Sequence, residues 1–216
     1  MGQLEREASR PFAFKSAYYL SLYTKMRARN LKELAEGVKK ADAGAIFHHV
    51  FHTVFAKHRM RPYYTNDFAA WVGEELNDED LAIELSSISG AEPATVEDIR
   101  REVLAILEPR AGERPARKEF VFVSMVPIVY ETGLRAKTLA EFLDAVGAAP
   151  ADSIAYHLIT RRVLDGTGRN DFSVWLESEF GLSEAAAAIS KIDPLIFNNE
   201  EDLKSEVIRI LERELL

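Results

Sequence analysis

Phe12-Ala13-Phe14-Lys15-Ser16-Ala17-Tyr18-Tyr19-Leu20-Ser21-Leu22-Tyr23 and Phe120-Val121-Phe122-Val123-Ser124-Met125-Val126-Pro127-Ile128-Val129-Tyr130 are two apolar runs that open on the same Phe-x-Phe. The second is rich in Val and holds Pro127, which favours an extended segment. The first suits a short strand or an amphipathic helix, and periodicity does not separate the two. The residues after each run read as helix. The expected fold is therefore mainly α, two tandem pseudo-symmetric helical repeats, with short extended segments at the start of each repeat as the open point.

The duplication is carried by matched motifs. Arg27-Ala28-Arg29-Asn30-Leu31-Lys32-Glu33-Leu34 corresponds to Arg135-Ala136-Lys137-Thr138-Leu139-Ala140-Glu141-Phe142. Asn30 with Glu33, and Thr138 with Glu141, have capping-box spacing, in which cap side chain and third-position carboxylate satisfy each other's free amides. A helix is expected to start at each, with Leu31, Leu34 and Val38, or Leu139, Phe142 and Val146, along one face, and with Gly37 and Gly147 as limits. A third element spans Asp42 to His58 and Asp152 to about Leu164. In its first copy Ile46, Phe47, Val50, Phe51, Val54 and Phe55 occupy half the helical wheel, opposite His48, His49 and His52.

Asn66-Asp67-Phe68-Ala69-Ala70-Trp71 then returns as Asn170-Asp171-Phe172-Ser173-Val174-Trp175. Short helices are expected around Leu81 to Ile88 and Ala185 to Ile192, and final helices from Thr95-Val96-Glu97-Asp98 and Asn199-Glu200-Glu201-Asp202. Pro109 to Glu119 holds two prolines and no aliphatic residue larger than Ala, and reads as a linker. The expected division is an N-terminal extension (1–11), repeat 1 (12–108), linker (109–119) and repeat 2 (120–216).

The chain of 216 residues has a net charge of −8, which gives little support to nucleic-acid binding. It has no cysteine, which excludes a disulfide framework, a thiol nucleophile and thiolate metal sites. No signal peptide or apolar run of membrane-spanning length is present, so a cytoplasmic location is expected and a membrane partner is not. Phosphate-loop, dinucleotide-turn and nucleophile-elbow motifs are absent too.

Polar residues held in both halves form a short set: Arg27 and Arg135, His49 and His157, Asn66 and Asn170, Asp67 and Asp171. For Asn-Asp-Phe-x-x-Trp the structural reading is a capped helix with Phe and Trp on its buried face. The functional reading has Asp67 and Asp171 orienting His49 and His157 in a cleft, as carboxylates orient general bases and metal ligands. Arg27 and Arg135 are read first as structural partners of Asp67 and Asp171, and otherwise as anion binders. His48 and His52, at i and i+4, are weak metal candidates: no HExxH glutamate accompanies them, and the other half has Tyr156 and Thr160 instead. Lys57, Arg59, Arg61, Tyr63 and Tyr64 share one loop that could contact a nucleotide or sugar.

The ordering of Phe-x-Phe, Arg27-Ala28-x-Asn30-Leu31-x-Glu33-Leu34, Ile46 to His49 and Asn66-Asp67-Phe68-x-x-Trp71 resembles an uncharacterised bacterial and archaeal domain-of-unknown-function family, over nearly the whole chain. The resemblance implies at most an accessory role in sugar metabolism, and no catalytic residues come with it. The expected function is a non-catalytic helical binding or regulatory module for a protein or small-molecule partner, with no cofactor; a homo-oligomer is compatible with this. The alternative is a His/Asp-dependent, metal-assisted enzyme acting on a phosphorylated or sugar substrate.

Overall fold

Both Phe-x-Phe runs are strands. The computed structural model describes residues 3–55, 63–91, 95–197 and 199–215. In it β1 (Phe12–Ala28) and β2 (Phe120–Ala136) are 17 residues each and pair antiparallel as a two-stranded sheet. The register runs from Lys15↔Glu131 through Tyr19↔Pro127 to Tyr23↔Val123, with irregularities towards both ends. The protein is therefore α+β, and the expectation of a mainly α chain of tandem helical repeats is corrected by this ribbon. Local pattern missed it because consecutive residues are buried at Ser16–Ala17 and Phe122–Met125, which interrupts the period-2 alternation, and because each strand's partner lies in the other half of the chain.

Around the ribbon stand α1 (Leu31–Lys40), α2 (Ala43–Phe55), α3 (Asp67–Leu76), α4 (Glu79–Ser86) and α5 (Val96–Leu107), then α6 (Leu139–Ala148), α7 (Ala151–Ala155), a π turn (Tyr156–Thr160), α8 (Arg161–Val163), α9 (Asp171–Phe180), α10 (Ser183–Ser190) and α11 (Glu200–Leu215). Caps set their starts. Asn30 accepts from the Glu33 amide and Thr138 from the Glu141 amide. The carboxylates of Glu33 and Glu141 reach back to the amides of Arg29 and Lys137, one residue before the cap, so the reciprocal box expected at these two sites is displaced by one position. Thr95 and Asp98 do form a full capping box on α5.

The strands interlock the two groups of helices. Phe120, at the start of β2, packs on Phe68 and Trp71 with ring centroids 5.4 and 5.8 Å away. Phe12, at the start of β1, packs on Phe142, Phe172 and Trp175 at 5.4, 5.4 and 5.7 Å. Each helix bearing Asn-Asp-Phe-x-x-Trp, α3 and α9, is thus sealed by the strand from the opposite half. Trp71 donates its indole N–H to the Lys118 carbonyl and Trp175 donates to the Arg10 carbonyl, both at 2.8 Å, which ties down the chain just before each strand.

Gly37 lies inside α1 and Gly147 inside α6, so neither limits its helix. Gly37 has a different cause: a Cβ there would sit 2.3 Å from the tip of the Phe122 ring, so only glycine lets β2 approach α1 this closely. Among the described residues no helix is long and apolar enough to cross a membrane.

Candidate functional site

His49 projects from α2 into the gap between α3 and β2 and is 3% exposed. Its Nε2 accepts the backbone N–H of Val123 at 2.9 Å, and its Nδ1 lies 2.8 Å from Asp67 Oδ2. A nitrogen that accepts an amide proton carries none of its own, so the ring is the Nδ1–H tautomer and donates to the carboxylate. Both nitrogens are committed. His157 repeats the arrangement in the π turn: Nε2 accepts from the Lys15 amide at 2.8 Å and Nδ1 faces Asp171 Oδ2 at 2.7 Å. Each imidazole bridges a carboxylate at a helix start to the backbone of a strand from the other half.

Asn66 and Asn170 are N-caps. Asn66 Oδ1 accepts from the Ala69 amide at 3.0 Å while its Nδ2 donates to the Leu85 carbonyl at 2.8 Å. Asn170 accepts from the Ser173 amide and donates to Ser173 Oγ, both at 2.8 Å. Arg27 is exposed and donates to the Thr24 and Met26 carbonyls of its own strand, and Arg135 is an exposed residue of β2 paired in register with Ala13. The cation on Asp171 is Arg161, at 3.2 Å, which the sequence comparison missed because the equivalent position in the first half is Thr53. Lys57, Arg59 and Arg61 lie outside the described residues, whereas Tyr63 is exposed with its hydroxyl on Glu79.

His48, His49 and Asp67 bring ligand atoms within 4.8 Å of one another, the spacing of a metal site. Coordination through His49 would need its Nδ1 stripped of a proton while Nε2 still holds the Val123 amide, which makes the ring an imidazolate. The residues present therefore do not fit a metal held through His49. His48 and His52 remain: their rings stack at 4.9 Å, and the Nδ1 atom of each is buried without a hydrogen bond among the described residues. His52 Nδ1 is 3.3 Å from Asp67 Oδ2, a Coulombic distance, but is not aligned to donate to it.

These two histidines edge a cavity of about 290 Å³ that also meets Tyr18 and Tyr19 of β1, Asp152 of α7 and Glu200 of α11. The sequence offered a signal for the histidines alone, since Tyr19, Asp152 and Glu200 come from three elements far apart in the chain. Tyr19 is joined to Thr160 by a hydroxyl–hydroxyl hydrogen bond of 2.7 Å, and burial pushes its hydroxyl well above the ordinary phenol range, which keeps it protonated.

Burial, helped by the neighbouring rings of His49 and His52 and opposed by the pull of Asp67, lowers the His48 imidazole from 6.5 to about 4. Such a base stays neutral in the folded state while the unfolded chain takes up a proton. Its contribution to stability is present in full above about pH 6.5 and is lost as pH falls towards 4. For a half-buried ring the loss is on the order of 1–2 kcal/mol after solvent screening. Urea unfolding at pH 7 and pH 5 is expected to show this slope in the wild type and a smaller one in His48→Tyr, which installs the residue type found at position 156.

A protein-family comparison matches residues 9–212 to a family of unknown function, DUF5752. The chain is also similar to the solved structure of OrfY from Thermoproteus tenax, at 74% identity and a TM-score of 0.95, over 98% of this chain and 99% of that one. No curated protein matches it. With almost all of its length inside the family match, the chain belongs to DUF5752, a family of unknown function.

Proposed function

We propose that the protein is a non-catalytic binding module whose small polar ligand occupies the cavity beside His48 and His52. One observation carries the reading: in His49–Asp67 and His157–Asp171 every ring nitrogen is already bonded within the fold, which leaves neither imidazole a lone pair or a vacant proton site for a substrate. The cavity is lined by His48, His52 and Asp152 beside two tyrosine rings, and acceptor groups of this kind favour a ligand rich in N–H or O–H donors.

The test is a thermal-shift and calorimetric screen of amines, polyols and nucleosides, together with a hydrolase substrate panel. A donor-rich ligand is expected to raise the melting temperature without being consumed. Ser21→Trp, at an exposed cavity-lining position, is expected to abolish that shift while leaving the unliganded melt unchanged. Sustained turnover of a defined substrate would overturn the proposal.

A second reading, metal-assisted chemistry, is favoured by the Nδ1 atoms of His48 and His52, which have no hydrogen bond among the described residues, and by their nearness to Asp67. Stoichiometric transition metal in untagged protein, lost in His52→Gln, would support it; metal-free protein that takes up no zinc or nickel would end it.

A further inference from the structure

The ribbon carries an apolar face that the helices leave open. Between Lys15↔Glu131 and Tyr23↔Val123 the register is continuous, so residues opposite each other share a face: Tyr18 with Ile128, and Leu20 with Val126. Tyr18, Leu20, Leu22, Val126 and Ile128 are 64, 49, 50, 42 and 49% exposed, and Tyr130 stacks on Tyr18 at 4.9 Å. Beyond this middle section the same strands carry Phe14 and Phe122, which are wholly buried by the helices.

Two further features mark this face. No charged residue occurs from Ser16 to Thr24 or from Phe120 to Tyr130, in a chain with 62 charged side chains and a net charge of −8. Pro127 also withholds a backbone donor from β2, which disfavours extension of the sheet by strand addition and leaves the side-chain face as the contact surface.

We propose that this face is a homodimer interface in which the ribbon of one copy packs on the ribbon of a second. The occupant is a second copy on three counts. An uncharged apolar face is its own complement, as an isologous contact requires. Two molecules of charge −8 meet with least repulsion on their neutral surface. The exposed side chains also amount to on the order of 500 Å² per copy, so a pair hides roughly the 1,000 Å² above which interfaces become specific.

Sedimentation velocity on the full chain from about 1 to 200 μM is expected to show a monomer–dimer equilibrium, with affinity on the order of micromolar for this area. Leu20→Asp, placing one carboxylate from each copy in the contact, is expected to weaken it at least tenfold without shifting the melting temperature. The absence of native cysteine allows an independent check: Leu20→Cys is expected to cross-link into a disulfide dimer under mild oxidation, while Ile83→Cys, exposed on α4, is not. A wild type that stays monomeric at 200 μM overturns the proposal, including the case where it co-sediments with phosphatidylcholine vesicles and the face serves a lipid surface. A dimer indifferent to Leu20→Asp overturns it equally.

Discussion

His49→Ala is expected to lower the free energy of unfolding by about 3–5 kcal/mol, measured by urea denaturation at pH 7. The imidazole accepts the buried Val123 amide at 2.9 Å, and it also holds the Asp67 carboxylate at 2.8 Å. Truncation leaves a buried donor unsatisfied, at about 1–3 kcal/mol, and a carboxylate without its partner. It also opens a void beside the Phe120 ring, whose centroid is 4.6 Å from that of the histidine. Asp67→Ala removes only one of these contacts and is expected to cost less. The double variant should show a coupling of roughly 0.5–3 kcal/mol, because the two side chains share one bond. His157→Ala should behave alike through Lys15 and Asp171. A histidine kept for chemistry would behave otherwise: its removal would leave stability within about 1 kcal/mol of the wild type, and that result would sink the structural assignment.

The second large effect concerns the interlock. Phe122→Ala is expected to cost about 3–5 kcal/mol, as truncation of a fully buried Phe does. Phe122 belongs to the C-terminal half by sequence, yet its ring lies against Gly37 of α1 and 5.9 Å from His49 of α2. Chain cleaved within 109–119 is therefore expected to yield fragments that do not unfold cooperatively alone and regain a cooperative transition when mixed. Circular dichroism melts of separately produced 1–114 and 115–216 decide this. Two fragments that each melt sharply alone would show that the borrowed phenylalanines are dispensable.

The helix starts were legible in sequence because capping is local. Asn30, Asn66, Thr95, Thr138 and Asn170 each accept from the amide three residues on, which depends on nothing outside the first turn. The pairing of His49 with Asp67, and of His157 with Asp171, was legible as a candidate because both members return together in the two halves. That the histidines also hold Val123 and Lys15 was not, since no spacing within one half reports an amide contributed by the other. The ribbon failed for the same reason: the periodicity of Phe12 to Tyr23 suits strand and helix alike, and its partner lies about a hundred residues away. Arg27 and Arg135 misled because recurrence shows that a position is constrained without showing by what, and Arg27 is held by carbonyls of its own strand. The cavity was least legible, assembled as it is from β1, α2, α7 and α11.

The exchange of strand ends between the helix groups also sets an order of events during synthesis. When α5 has been made, the core of the first helix group still lacks Phe120 and Phe122, and the Nε2 of His49 has no amide to receive. Residues 108–136 arrive at about 5–20 per second, so the half-made protein waits on the order of seconds with its central aromatic cluster open. Closure then requires pairing of two strands at long sequence separation, the slowest kind of contact to form. The nascent chain is thus most exposed to aggregation, and to chaperones that bind bare aromatic surface, in the interval between its fifth helix and its second strand.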